Sequence, residues 1–153
     1  MSLVSNSAAR LLPFLALVVL GVSPLWAADE VIGSVKKVVG TAAVLRDGQS
    51  IPARAGLRLL AMDTLSTGSD GSLGVVLHDD AILALGPSSQ VALERFAYAP
   101  AEQRLGFVAR IARGTISYLS GIIGRLAPET VRFETPVGTL GIRGTHFAIK
   151  IAE

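Results

Sequence analysis

From Val31 onward, apolar and β-branched residues come in short runs cut by glycine and polar turn residues rather than by helical stretches. This is the pattern of an all-β chain. Val31 to Leu45 holds two β-prone runs split at Gly40-Thr41, and Asp47-Gly48 offers a type I′ hairpin turn into Ser50 to Ala53. Leu57 to Leu60 and Asp63 to Ser66 follow, closed by the loop cluster Thr67-Gly68-Ser69-Asp70-Gly71. Leu73 to Leu77 and Ala81 to Leu85 flank His78-Asp79-Asp80, which reads as a tight connection. Gly86-Pro87-Ser88-Ser89 then turns the chain into Val91 to Phe96. Tyr98 to Arg104 reads as a loop or a short helical turn, Phe107 to Ile111 and Thr115 to Leu119 as two strands about Arg113-Gly114, and Ser120 to Pro128 as an excursion. Thr130 to Glu134 and the Gly-punctuated segment Phe133 to Ile149 complete the domain.

Gly-Thr recurs at Gly40-Thr41, Gly114-Thr115, Gly138-Thr139 and Gly144-Thr145, each time opening a β-prone run. Glycine bends the chain and the β-branched threonine restarts the strand. The spacings are irregular, so no fixed-period solenoid is implied. The expected fold is a single compact β-roll or solenoid-like domain of short strands with Gly-marked bends, with a β-sandwich as the alternative. Gly138, Gly141, Arg143, Gly144 and Thr145 form its most distinctive motif, and valine at position 144 is expected to abolish folding.

The beginning of the chain reads differently. Arg10 precedes the apolar run Leu11 to Leu20, and Leu25-Trp26-Ala27-Ala28 supplies small residues for cleavage, so residues 1–27 are expected to be a secretory signal peptide and residues 28–153 the mature domain. The apolar run is about half of the roughly 20 residues a membrane anchor needs. The expected product is exported to the periplasm and does not span the membrane after cleavage. The sequence holds no cysteine, which leaves no disulfide stapling. Aromatic residues make up only 5% of the chain, so the core must be built from Val, Ile, Leu and Ala.

Charge narrows the partners. Net charge is +2 in a chain that is 17% charged, far from a nucleic-acid footprint, and no nucleic-acid partner is expected. The excess lies after Ala101, where Arg104, Arg110, Arg113, Arg125, Arg132, Arg143 and Lys150 face Glu102, Glu129, Glu134 and Glu153. Arg110, Arg113 and Arg125 are candidates for binding a partner, as is His146, whose side chain faces away from that of Phe147 on strand alternation. Arg143 either meets an acidic partner or ties loop carbonyls or Glu134 inside the domain, the second being the reading that suits its planar five-donor head. An enzyme would need chemistry that the inventory does not offer. The histidines, His78 and His146, have no metal-type spacing, and adjacent aspartates such as Asp79 and Asp80 ordinarily serve as solvated turn formers. No catalytic residue, metal site or cofactor is expected.

Two blocks resemble a known family. GLRLLAMDTLSTGSDGSLGVVLHDDAILALGPSSQVAL, from Gly56 to Leu93, and TPVGTLGIRGTHFAI, from Thr135 to Ile149, are similar to the corresponding segments of the FecR-like domain. Met62 stands where that family usually has glycine before the aspartate, and Asp80-Ala81 replaces its common Asp-Gly turn. The resemblance implies a periplasmic module that receives a signal from an outer-membrane transporter in pathways such as iron uptake. It offers no catalytic residue or cofactor. No cytoplasmic output segment is expected in this chain, and the expected role is a stand-alone module binding another envelope protein at a strand edge. The alternative is a module for an envelope polyanion such as lipopolysaccharide, capsule or wall glycan.

Overall fold

The computed structural model describes residues 29–152, so the leader read at residues 1–27 lies outside the described residues. Twelve strands appear among them: β1 (Val31–Val39), β2 (Ala42–Arg46), β3 (Gln49–Pro52), β4 (Arg58–Leu60), β5 (Thr64–Thr67), β6 (Ser72–Leu77), β7 (Ile82–Leu85), β8 (Gln90–Ala99), β9 (Arg104–Leu119), β10 (Val131–Thr135), β11 (Gly138–Gly141) and β12 (His146–Ile151). One short helix, α1 (Ile122–Leu126), and 3-10 turns at Pro100–Glu102 and Pro128–Thr130 are the remaining regular elements. The fold is all-β, as the sequence pattern predicts.

The architecture is one antiparallel sheet folded along a line. On one face the order is β4-β1-β6-β7, then the second half of β9, then β12; on the other it is β3-β2-β5-β8, then the first half of β9, then β10 and β11. Among the described strands only the β9–β10 pairing is parallel. Each layer crosses the fold line in a continuous stretch of chain: β1 into β2, β5 into β6, β7 into β8, and β9 by itself. The result is a roll with the apolar faces turned inward, because alternate strand residues point to opposite sides.

Hydrogen bonds lock the fold line. The amide of Gly68 donates to the carbonyl of Thr41 at 2.9 Å, that of Thr67 to Ser89 at 2.9 Å, and that of Gly86 to Thr115 at 2.8 Å. Buried Thr67 and Ser89 add side-chain bonds: the Thr67 hydroxyl donates to the Gly86 carbonyl at 2.7 Å, and the Ser89 hydroxyl oxygen accepts from the Thr115 amide at 2.9 Å. Gly114 is the point where β9 bends, with φ of 94°, and any Cβ there would overlap Ser89. Two expected strands are therefore one. Gly114 acts as a bend within a continuous strand, not as a break, and a bulge sits just before it, where Gln90 pairs with Arg113 and Val91 with Ile111 and Ala112 is the extra residue.

Rows of core residues run across each face. Val35, Val75, Leu83 and Tyr118 are paired in sequence, as are Leu73, Leu85 and Ile116; on the other face Val44, Leu65, Val91 and Ile111 do the same. All are buried. Phe107, Phe133 and Tyr118 form an aromatic cluster with ring centroids 5.0–5.8 Å apart.

Two local readings change. β8 continues to Ala99, and the segment after it makes the short 3-10 turn. Asp79 is not solvated: it is 1% exposed, and its carboxylate accepts from the amides of Ala81 and Ile123 at 3.2 Å while its carbonyl accepts from Ile122 at 2.7 Å. It thereby satisfies the orphan amides that open α1, and burial raises its pKa above the usual carboxylate value. The aspartate of the first resembling block, Asp63, is also buried, gripped by Arg46 through bonds of 2.8 and 2.6 Å and by the Leu60 amide at 2.8 Å. Before it, Met62 holds φ of 71° with its side chain 72% exposed, the left-handed conformation that glycine adopts freely.

Candidate functional site

The closing motif occupies the open side of the roll. β11 pairs with β10 and with no other strand among the described residues; β12 likewise pairs with β9 alone. Both faces thus end in free strand edges on the side next to β9, and the Gly141–Thr145 stretch carries the chain from one edge to the other.

Core rows reach these edges without being closed. Phe147 continues the row through Tyr118, and Ile149 the row through Ile116; both are half-buried, with the Phe147 ring 5.0 Å from that of Phe133. On the other face Phe133 is paired with Leu140, which is 42% exposed. The two edges bound a groove lined by Leu140, Gly141, Ile142, Arg143, Phe147 and Ile149. A second groove, of about 650 Å³, lies between Pro128, Glu129 and Val131 on one side and Gly141, Ile142 and Arg143 on the other. Val137, at the tip of the β10–β11 turn, is 92% exposed. Apolar side chains at an unpaired, accessible edge are the chemistry of strand addition.

The motif residues play different parts from one another. Gly144 needs its glycine for φ of 112° alone, because a Cβ there would meet no atom within 4 Å. Gly138 and Gly141 have equally open surroundings, and Thr145 is exposed, its carbonyl accepting from the Ser120 amide at 2.7 Å. Backbones do not pass closely at this motif; an added Cβ would overlap a neighbour instead at the fold line, at Gly40, Gly71 or Gly114, and at Gly33, Gly121 and Gly124. The expected tie between Arg143 and Glu134 is corrected. Arg110 occupies Glu134, its Nη2 donating at 2.9 Å while its Nε pairs with Glu94 at 3.1 Å, and these carboxylates raise the Arg110 pKa, the Glu134 hydrogen bond most. Arg143 is exposed and makes no ion pair among the described residues.

The other candidates are dispersed. Arg113 lies exposed at the bend of β9 opposite Gln90, and Arg125 is exposed in the last turn of α1. No hydrogen bond or ion pair among the described residues links Arg110, Arg113 and Arg125 to one another. His146 is exposed on β12, its Nε2 3.0 Å from the Ser117 hydroxyl. Sequence reasoning missed Leu140 and Ile142; the available signal was apolar side chains set between glycines of the closing motif, where a buried strand would need an unbroken partner.

A model of the FecR protein family matches residues 63–153, from just before β5 through the whole closing motif. The chain belongs to the FecR family. No curated protein and no solved structure matches it. FecR proteins are a regulatory and signalling family rather than an enzymatic one. Among the described residues no three His, Asp or Glu side chains are grouped to hold a metal ion, and no helix is long and apolar enough to cross a membrane. The buried Asp63, Thr67, Asp79 and Ser89 side chains are each held by hydrogen bonds within the fold. Tyr118 has a wholly buried hydroxyl with no well-formed hydrogen bond, although Ser120 and the Gly121 amide stand beside it, and burial pushes its pKa far up, with the Asp79 charge adding to the effect.

Proposed function

We propose that this chain is an exported, periplasmic FecR-family module that binds another envelope protein, in envelope signalling or the regulation of iron uptake, through the open edges of β11 and β12. What carries the reading is the groove between those edges, where core rows end on the half-buried Phe147 and Ile149 and the exposed Leu140. Edge strands with apolar flanks are ordinarily blunted or covered; here a partner segment would supply the cover. Family membership supports a regulatory role, and the leader-like beginning of the sequence supports export.

Affinity capture from detergent-solubilised envelope, at low and at physiological salt, tests the reading. A single dominant protein that survives salt and is lost with Leu140→Glu or Ile142→Glu, variants that melt like the wild type, supports it. Capture undiminished by both variants refutes the edge as the binding surface. Glycan alone, lost as salt rises, would transfer the role to the alternative of an envelope polyanion held by Arg110, Arg113 and Arg125.

A further inference from the structure

Resting on the reading of the edge as a protein-binding surface, we propose that the occupant of the groove is an extended, acidic segment of the partner, alternating apolar and acidic residues, that adds as a strand to β12. The two rows that cross the first face, Val35-Val75-Leu83-Tyr118-Phe147 and Leu73-Leu85-Ile116-Ile149, have no member beyond β12. A strand added there would place every second side chain in line with Phe147 and Ile149, over the groove that Leu140 and Ile142 line from the other edge. Those positions call for apolar residues.

The intervening side chains of the added strand would stand beside His146, Ala148 and Lys150, which are exposed on the outer face of β12. Lys150 makes no ion pair among the described residues, nor does Arg143 on the groove wall, and that wall includes no carboxylate. Opposite charges on neighbouring strands attract and like charges repel. The edge therefore favours carboxylates on the incoming strand. The same charges disfavour a second copy of this chain, whose β12 would bring another lysine to the shared edge.

The test uses two fluorescent decapeptides, one alternating valine with glutamate and one alternating valine with lysine, titrated into the purified protein by anisotropy, with amide hydrogen exchange on each mixture. The glutamate peptide is expected to bind at least tenfold tighter, to slow exchange at residues 146–151, and to lose at least tenfold in affinity with Ile142→Glu. Lys150→Glu should bring the two peptides within threefold of each other. Absence of binding, equal binding to the wild type, or protection outside β11 and β12 overturns the proposal. So does concentration-dependent self-association with protection confined to β12, which would assign the edge to a second copy. If the envelope partner is still captured by Lys150→Glu at full strength while Leu140→Glu abolishes capture, the interaction reading stands and the acidic strand falls.

Discussion

Alanine at Gly114 is a substitution the fold line tolerates poorly. The residue has φ of 94°, and its added Cβ would overlap Ser89 at both the hydroxyl and the Cα. A non-glycine residue in this region costs about 1–2 kcal/mol. Relieving the overlap must move Ser89, which accepts from the Thr115 amide at 2.9 Å and donates to the Thr115 carbonyl at 3.2 Å; two weakened hydrogen bonds add about 1 kcal/mol each. The sum is about 3–4 kcal/mol, a large share of the roughly 5–15 kcal/mol typical of a whole domain, and it corresponds to a fall in Tm on the order of 10–15 °C. Urea and thermal melts followed by circular dichroism measure it. Two other glycines calibrate the result. Gly144→Ala has the positive φ without the clash and should cost about 1–2 kcal/mol, and Gly141→Ala has neither and should fall within about 0.5 kcal/mol of the wild type. If Gly114→Ala melts no lower than Gly144→Ala, the fold line is not the constrained element described here.

Met62→Gly should stabilise the domain by about 1 kcal/mol, since it relieves a left-handed backbone at an exposed side chain; a lower Tm by calorimetry would contradict this. Tyr118→Phe removes a buried hydroxyl without a well-formed partner and should be neutral or stabilising by about 1 kcal/mol in urea melts, whereas a loss of 2 kcal/mol or more would mean that the hydroxyl is bonded. Asp79 has a folded pKa raised by burial above its unfolded value. Its contribution is therefore complete below about pH 3.9 and is lost as pH rises through the folded value. The Tm of the wild type relative to Asp79→Asn should accordingly fall between acidic and neutral pH, and a difference that grows with pH would refute the assignment.

Much of the roll was legible because its signals are local. The Asp47-Gly48 turn, with both residues at positive φ, and the strand runs on either side of it need only adjacent residues to be recognised. The Gly-Thr pairs at residues 40–41 and 114–115 do mark bends, because both lie on the fold line. What escaped depends on contacts distant in sequence. Gly114 looks like an interruption until Ser89 is seen against it, 25 residues earlier in the chain numbering. Asp79 reads as solvated until α1 returns to place Ile122 and Ile123 over it. Arg46 ends β2 and Asp63 immediately precedes β5, with no local pattern to join them. Glu134 could pair with any nearby arginine in the sequence; the parallel alignment of β9 and β10 sets it opposite Arg110 and leaves Arg143 without an ion pair among the described residues. The open groove is a property of strand order, which run length and turn chemistry do not specify.

The most direct test of the account is amide hydrogen exchange on the protein alone and bound to the partner recovered from the envelope. The account predicts slowed exchange concentrated at residues 138–151, the two free edges and the segment between them. Protection confined instead to β8 and the first half of β9, or unchanged exchange throughout the closing motif, would contradict it.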